Sequence, residues 1–401
     1  MSTSSYFQFG MRTQIHSAVG AILRLPALFH GLNAKNVLIL SDQGLKNIGV
    51  ADQVMEIFKV NGRDSKPAVA GVFTDISPDA EIASVHAAVK LAREVGADSI
   101  LALGGGSVLD ASKAIKYCLQ HNIEDLSVTL MAGIKMDLWP EAQHSNIPHI
   151  AVPTTAGTGA EVTPVAVVYN AKTHVKGLLA APFLEADMAV LDAKLMEKLP
   201  VAITIATAMD ALTHALESLA SPTANHFTDA HGFRAAQLIE ETLPIVVENP
   251  ADLNGRSSLL QASTMACNAV ANALNVNMVH NCSHALGGLY RIPHGEANGV
   301  LLPIVFDEMR DFYAANGKRL ATAMNCENVR GLSNEQALDK AIDSIKALQK
   351  KVGFDPVFTR HAIPRGDLDK ITAAIASDPM GMFYPIPAEK VKAIISRAAG
   401  W

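Results

Sequence analysis

The chain has 401 residues, 49% of them hydrophobic, which is enough for two hydrophobic cores, and its formal net charge of −6 argues against a nucleic-acid partner. No apolar run reaches the roughly 18 residues of a membrane span, and the first ten residues lack the pattern of a secretion signal. The four cysteines are scattered, which predicts reduced thiols rather than a disulfide framework and hence a cytoplasmic location.

Strand and helix patterns alternate along the first half of the chain. Apolar runs at 37–40, 68–73 and 99–103 predict strands, and periodic segments near 44–60 and 79–95 predict helices. Regular exchange of the two predicts a parallel sheet with helices on both faces. Residues 119–146 show no clear pattern and predict an irregular surface segment.

The first predicted strand, 37–40, is followed by Ser41 and Asp42. An acidic side chain just past the carboxyl end of a strand can accept hydrogen bonds from a ribose diol. An aspartate in this place is equally expected as the N-cap of a helix that begins near Gly44. The residues alone leave both interpretations open.

Two segments rich in small residues predict contacts with a dinucleotide. The glycine triplet 104–106 lies between the strand at 99–103 and a helical segment, where the backbone can approach a diphosphate and a helix N-terminus adds N–H groups. This position favours a phosphate-binding turn over an ordinary tight turn. Residues 154–163 carry hydroxyl groups that can donate to a diphosphate or a nicotinamide amide, with an ordinary ST-turn as the alternative.

The pair at 199–200, Leu-Pro, marks the predicted boundary between two domains, 1–199 and 200–401. Beyond it strand patterns nearly vanish, and Ala-, Leu- and Glu-rich segments predict helices near 203–220, 227–246, 256–275, 306–325, 334–352, 366–377 and 388–398. The second domain is therefore expected to be all-helical. The stretch 378–385 breaks the helical pattern and has no predicted role.

Two pairs of side chains have a spacing that brings metal donors together. Asp210 and His214 are four residues apart, as are His280 and His284, so each pair lies on one face if its segment is helical. His294 follows in a Pro-His-Gly turn. A carboxylate and several imidazoles suit a divalent transition metal. No glutamate stands between the second pair, so the zinc-protease pattern is absent.

Together these motifs resemble the iron-containing (group III) alcohol dehydrogenase family, from about residue 13 to about residue 398. The resemblance rests on Asp-x-x-x-His from 210, His-x-x-x-His from 280, Pro-His-Gly from 293, Gly-Gly-Gly-Ser-x-x-Asp-x-x-Lys from 104 and Pro-Thr-Thr-Ala-Gly-Thr-Gly from 153. It implies a dehydroquinate synthase-like architecture. In that architecture an α/β N-terminal Rossmann-like dinucleotide-binding domain precedes an all-α C-terminal domain that binds the metal.

The resemblance also implies the site residues. The metal ligands are Asp210, His214, His280 and His294, and His284 lies beside the metal near the nicotinamide and the substrate. The implied coenzyme contacts are Asp42, Gly104, Gly105, Gly106, Ser107, Asp110, Thr154, Thr155, Thr158, Lys176, Leu195 and His284. The charge of Asp42 should repel a 2′-phosphate, so NAD is favoured over NADP.

The function implied is that of a metal-dependent alcohol dehydrogenase or aldehyde reductase. Hydride passes between nicotinamide C4 and a small alcohol, diol or aldehyde whose oxygen the metal polarises, in a cleft expected between the two domains. Fe(II) is the favoured metal, and Zn(II) is the alternative because the same donors hold it. His284 either relays a proton or only positions the nicotinamide. A homodimer is expected from the resemblance alone.

Two other functions are alternatives to this one. A dehydroquinate-synthase-like lyase that uses NAD transiently needs several basic residues around a phosphorylated substrate, and the segment from His280 to His294 offers only Arg291. A non-catalytic sensor or scaffold that binds NAD and metal would be expected to show a broken ligand set. No ligand position is broken in this sequence.

Overall fold

The computed structural model describes residues 7–61, 67–139, 142–273 and 276–401. These residues form two compact units. One comprises Arg12–Leu199 and Ala251–Leu260, and the other comprises 7–11, Pro200–Pro250 and the described part of Gln261–Trp401. In the part of the chain that the structure describes, no helix has the length and apolar character needed to cross a membrane.

The first unit contains a parallel sheet of six strands. The strands of this unit are β1 (Gln14–Ser17), β2 (Asn36–Leu40), β3 (Ala68–Phe73), β4 (Ser99–Gly104), β5 (Ile134–Met136), β6 (His149–Pro153), β7 (Val165–Asn170), β8 (Val175–Ala180) and β9 (Met188–Leu191). The large sheet has the order β1-β9-β6-β4-β2-β3, with every neighbouring pair parallel. A small sheet of order β5-β8-β7, which the sequence did not predict, lies in the same unit.

The central strands β2, β4 and β6 are buried on both faces, which explains why they read as unbroken apolar runs. Leu38 and Leu40 of β2 belong to one apolar cluster, whereas Val37 and Ile39 belong to the other. Successive side chains of a strand point to opposite faces, so the two clusters lie on the two sides of the sheet. The predicted α/β fold with helices on both sides is confirmed.

Helices connect the strands of the first unit. They are α1 (Leu25–Gly31), α2 (Gln43–Asn47), α3 (Val50–Asn61), α4 (Ile82–Glu94), α5 (Gly106–Gln120) and α6 (Leu126–Thr129). The helix predicted near 44–60 is split, because Gly49 takes a left-handed conformation with φ of +78° after α2. The segment 119–146 is also less irregular than predicted, because it contains α6 and β5.

The second unit contains only helices among its described residues. They are α7 (Val201–Ala220), α8 (His226–Glu248), the part of α9 (Leu253–Asn272) that follows Leu260, α10 (Met278–Tyr290), α11 (His294–Glu308), α12 (Arg310–Tyr313), α13 (Gly317–Ala323), α14 (Asn334–Lys351), α15 (Leu368–Ser377) and α16 (Ala388–Ala398). The all-helical prediction is confirmed. The end of the helix predicted at 256–275 lies outside the described residues. The single helix predicted near 306–325 is wrong, because three helices share that stretch.

Two glycines allow α11 to lie close to α7. A Cβ atom on Gly295 would lie 2.4 Å from the carbonyl oxygen of Ala206. One on Gly299 would lie 2.5 Å from Cζ of Phe354 and 3.1 Å from Cβ of Met209. The spacing of these glycines, four residues apart, places both on one face of the helix. This close packing brings the start of α11 next to the segment of α7 that carries Asp210.

Candidate metal centre and dinucleotide site

Helix α7 presents three ionisable side chains from one face. Asp210, His214 and Glu217 have the spacing i, i+4 and i+7, and all three are buried. The helix is well supported by its sequence, because Val201–Ala220 contains neither glycine nor proline and Pro200 occupies the N-cap position. Its polar face is therefore fixed in the interior of the second unit.

Helices α10 and α11 bring two histidines to Asp210. His280 lies in the first turn of α10, and His294 is the first residue of α11. Their Nε2 atoms lie 3.7 Å and 3.6 Å from Oδ1 of Asp210. One donor atom from each of the three side chains lies within 4.8 Å of the other two. The structure thus brings these three predicted residues together.

His214 and His284 lie against the same cluster. The ring of His214 stacks on that of His280, with centroids 4.4 Å apart and planes inclined by 19°. The ring centroid of His284 lies 5.4 Å from that of His294. Nδ1 of His284 is 3.7 Å from Oδ1 of Asp378, the first residue of the stretch that had no predicted role.

Two further residues contact the predicted ligands, and the sequence analysis missed both. Asn298 donates its side-chain amide to Oδ1 of Asp210 at 2.7 Å and lies 3.2 Å from Nε2 of His294. Glu217 pairs with Nδ1 of His280. Helical spacing could have identified both. Asn298 is four residues after His294, and Glu217 is seven residues after Asp210, so each lies on the same helix face as a predicted ligand.

The electrostatics of the cluster favour a cation. Burial opposes the charge on Asp210, yet His214, His294 and His280 hold the pKa of its carboxyl well below its usual range. Burial also opposes the charge on His280, but the carboxylates of Glu217 and Asp210 raise its pKa to about 9. The cluster therefore keeps the buried carboxyl of Asp210 ionised.

The donor set fits a divalent transition metal. Nε2 of His280 is buried and makes no hydrogen bond to any residue that the structure describes, and its distance to Asp210 is too long for one. A buried ring nitrogen without a partner is costly unless a further ligand occupies the site. Imidazole nitrogens with one carboxylate oxygen suit Fe(II) or Zn(II). The residues present therefore fit the metal that the sequence predicted.

In the first unit, three predicted coenzyme residues lie at the carboxyl ends of neighbouring strands. Asp42 follows β2, Gly104 ends β4 and Thr154 follows β6, and these strands are adjacent in the sheet. The backbone N–H of Thr154 donates to the carbonyl oxygen of Gly104 at 3.0 Å. Asp42 also acts as the N-cap of α2, since its Oδ1 accepts from the backbone N–H of Leu45 at 3.0 Å. This edge of a parallel sheet is where dinucleotides bind.

The glycine triplet packs against the threonine segment. A Cβ atom on Gly105 would lie 3.2 Å from Oγ1 of Thr155, and one on Gly106 would lie 2.5 Å from Cγ2 of Thr158. The two segments can therefore lie this close at Thr158 only while position 106 lacks a side chain. Gly106 begins α5, so free N–H groups of a long helix lie at this turn.

Two other predicted coenzyme residues converge on Asp79. Oγ of Ser107 accepts from the backbone N–H of Asp79 at 2.9 Å, and Nζ of the buried Lys176 lies 2.9 Å from Oδ1 of Asp79. Asp79 has a left-handed backbone, with φ of +61°. It thus links the start of α5 to β8, a contact that the sequence did not predict.

The last two predicted coenzyme residues of the first unit, Asp110 and Leu195, make contacts that support the fold. Oδ1 of Asp110 lies 2.8 Å from Nζ of the buried Lys113, and its Oδ2 accepts from the backbone N–H of Val167 at 3.2 Å. Leu195 packs in the apolar cluster that includes Val152. These contacts hold α5 and β7 together and fill the core beside the sheet.

A parallel sheet with a glycine turn at its carboxyl edge, together with a buried Asp–His cluster, is the arrangement expected of an enzyme that uses a dinucleotide and a metal. Two family models match nearly the whole chain. Iron-containing alcohol dehydrogenase matches 12–193, and Fe-containing alcohol dehydrogenase family, C-terminal, matches 204–399. The chain belongs to the iron-containing alcohol dehydrogenase family. The family and enzyme class predicted from the sequence are confirmed.

Proteins that are similar to most of this chain are named as alcohol dehydrogenases of several kinds. The NAD-dependent methanol dehydrogenase of Bacillus methanolicus is 30% identical over 352 residues, which cover 87% of this chain and 88% of that protein. The 1,3-propanediol dehydrogenase of Klebsiella pneumoniae is 35% identical over 327 residues, 80% of each chain. The solved alcohol dehydrogenase from Oenococcus oeni has a TM-score of 0.88 at 28% identity and covers 98% of this chain and 100% of its own.

Proposed function

We propose that this chain interconverts a small alcohol or diol and the corresponding aldehyde, using NAD(H) and one divalent metal. The observation that carries the proposal is the buried cluster of Asp210, His280 and His294, whose donor atoms lie within 4.8 Å of one another. The names of the relatives, a methanol and a 1,3-propanediol dehydrogenase, support a small primary alcohol or diol as the substrate. Hydride moves between nicotinamide C4 and the carbon that bears the oxygen.

The proposed ligands of the metal are Asp210, His214, His280 and His294. Fe(II) is the favoured ion because of the family, and Zn(II) remains the alternative because its affinity for such donors is higher. When bound, the ion supplies a Lewis acid that stabilises charge on the substrate oxygen. The chain itself contributes donors held in place by three packed helices, α7, α10 and α11.

His284 is the proposed catalytic residue. Its imidazole is buried beside His294, and Asp378 lies 3.7 Å from Nδ1. Proton transfer and positioning of the nicotinamide are the two roles to separate. If His284→Gln loses one limb of the pH profile of kcat, the ring exchanges the substrate proton. If the profile is unchanged and only the KM for NADH rises, the ring positions the coenzyme.

The coenzyme is proposed to lie along the glycine triplet at the carboxyl edge of the sheet. The support is the close packing of the triplet on the threonine segment, where a Cβ on Gly106 would lie 2.5 Å from Cγ2 of Thr158. The other proposed contacts in the first unit are Asp42, Gly104, Ser107, Asp110, Thr154, Thr155, Thr158, Lys176 and Leu195. The carboxylate of Asp42 disfavours a 2′-phosphate, so NAD is proposed over NADP.

The remaining proposals concern the whole molecule. The chain is proposed to consist of a coenzyme domain at 1–199 and a metal domain at 200–401, to form a homodimer and to work in the cytoplasm. None of the four cysteines forms a disulfide in the structure, which supports a reducing compartment. Light scattering on the purified protein measures its oligomeric state directly.

Metal analysis followed by a screen of NADH consumption tests the proposal. The screen covers straight-chain aldehydes of increasing length and small hydroxyaldehydes. We expect one equivalent of metal per chain and turnover with the shorter aldehydes. His280→Ala should lose both metal and activity, because removing one ligand unbalances the set. His226→Ala is the matched control, because His226 is an exposed histidine of the same unit.

Two outcomes would contradict the proposal. Full metal content and full rate in His280→Ala would show that the cluster does not hold the catalytic metal. A metal-loaded protein that binds NADH but consumes none over the whole panel would favour the non-catalytic alternative.

A further inference from the structure

The side chain of Glu217 has partners on the first turn of α10 and at the end of α12. It is 1% exposed, and its Oε1 accepts a hydrogen bond from the backbone N–H of Val279 at 2.8 Å. The hydroxyl of the buried Tyr313 donates to the same oxygen at 3.5 Å. Its other oxygen, Oε2, pairs with Nδ1 of His280. A buried carboxylate with this many partners has a fixed orientation.

These contacts determine which nitrogen of His280 carries a hydrogen toward Glu217. A carboxylate offers only acceptor atoms, so Nδ1 must be the donor of the pair. Nε2 lies on the opposite side of the ring, 3.7 Å from Oδ1 of Asp210, and makes no hydrogen bond to a described residue. Once the ring is neutral, the lone pair is therefore on Nε2, facing Asp210 and His294.

We propose that Glu217 is a positioning residue of the metal centre, which fixes the tautomer and the rotation of His280 so that Nε2 is the donor to the ion. This inference rests on the proposed function, because it assumes that His280 is a ligand. A histidine ligand commonly donates its other ring N–H to a carboxylate, and loss of such a partner lowers metal affinity by roughly 10- to 100-fold.

The substitution Glu217→Gln distinguishes a residue that positions His280 from a residue that only supports the fold. If Glu217 only filled space and accepted from Val279, glutamine would serve as well, because it has the same shape and its carbonyl oxygen accepts from an N–H. Its amide NH₂ would then face Nδ1 of His280 and donate to it. The hydrogen of a neutral ring would move to Nε2, which would no longer present a lone pair to the ion.

The test compares Glu217→Gln with Glu308→Gln. Glu308 is a partly buried carboxylate of the same unit, at the opposite end of α11 from His294, and pairs with Arg397 at 2.6 Å. Both variants lose one negative charge. The dissociation constant for Co²⁺ is measured by competition with a chelator, and the absorption spectrum of the bound ion is recorded. We expect Glu217→Gln to bind roughly 10- to 100-fold more weakly, with an altered spectrum, and Glu308→Gln to match the unaltered protein.

The outcomes distinguish the inference from the proposed function. A folded Glu217→Gln protein that binds Co²⁺ as tightly as the unaltered chain, with the same spectrum, overturns the inference and leaves the ligand set in place. An unaltered chain that binds no metal overturns both. If Glu217→Gln does not fold, NMR of the histidine ring nitrogens in the unaltered Zn²⁺-loaded protein decides. A hydrogen on Nδ1 of His280 supports the inference, and a hydrogen on Nε2 overturns it.

Discussion

Gly295 of α11 lies so close to Ala206 of α7 that a Cβ atom on the glycine would be 2.4 Å from the alanine carbonyl oxygen. A backbone oxygen cannot move away by changing a rotamer, so any side chain here must push the two helices apart. His294 immediately precedes Gly295 on α11, and Asp210 lies one turn beyond Ala206 on α7. The contact therefore sets the spacing of two predicted ligands.

Gly295→Ala is expected to weaken metal binding by roughly tenfold or more, equivalent to about 1.4 kcal/mol, and to lower stability by about 1–3 kcal/mol through overpacking. Metal content after dialysis and thermal unfolding measure the two effects. Gly366→Ala is the control, because a Cβ there meets no atom within 4 Å. Normal metal content in Gly295→Ala would show that the spacing of the helices is not critical.

Gly106→Ala is expected to weaken NADH binding, because its Cβ would lie 2.5 Å from Cγ2 of Thr158 and would move the turn that begins α5. Serine lacks that methyl group, so the double variant Gly106→Ala/Thr158→Ser should recover part of the lost affinity. Titration with NADH fluorescence gives both dissociation constants. An unchanged affinity in the single variant would mean that the coenzyme does not depend on this turn.

Asp42→Asn is expected to relax the preference for NAD over NADP. Asparagine keeps the capping acceptor that Leu45 uses, so α2 should remain stable while the charge is lost. Asp42→Gly removes both features and should relax the preference with an added loss of stability. The ratio of kcat/KM values for the two coenzymes is the readout. A constant ratio in Asp42→Asn would show that Asp42 is only a cap.

Metal uptake at pH 7 is expected to release a proton from His280. The carboxylates of Glu217 and Asp210 raise the pKa of this ring to about 9 against the effect of burial, whereas a metal needs the neutral ring. Affinity should therefore rise with pH up to about 9 and then level off. A pH-indicator dye in weak buffer follows the release as Zn²⁺ is added. Binding without proton release at pH 7 would contradict this assignment.

The raised pKa of His280 makes the metal-free protein less stable as the pH rises, whereas metal binding becomes stronger. A raised pKa means that the charged ring stabilises the fold fully below its ordinary value of 6.5, and that this stabilisation disappears as the pH rises through about 9. Chemical unfolding of the metal-free chain across this range should therefore show a falling free energy of unfolding. His280→Ala should lack this component of the pH dependence.

The sheet was predictable because each of its central strands is buried on both faces and reads as an apolar run, as at β2 and β4. Helix α11 was not predicted. Its sequence contains Gly295, Gly299 and Pro303, all weak helix formers, and tertiary packing overrides their local preference. The glycines that hide this helix in the sequence are the residues that let it approach α7.

The metal cluster was predictable in part, because Asp210 and His214 are four residues apart and therefore lie on one face if their segment is helical. That these side chains are ligands remains a prediction. The orientation of His280 could not be read from the sequence, because Glu217 and Val279 meet only after α7 and α10 pack. The capping role of Asp42 was one of two open interpretations, and the structure shows the cap without testing the other.

The donor atoms of the cluster come from α7, α10 and α11, which are far apart in the chain and adjacent only after folding. A chain still being synthesised carries Asp210 long before His280 and His294 have left the ribosome. Until then the chain contains only two of the four predicted ligands, Asp210 and His214, which are too few for a tight site. An ion held by these donors would therefore bind only after α10 and α11 have been synthesised and packed against α7.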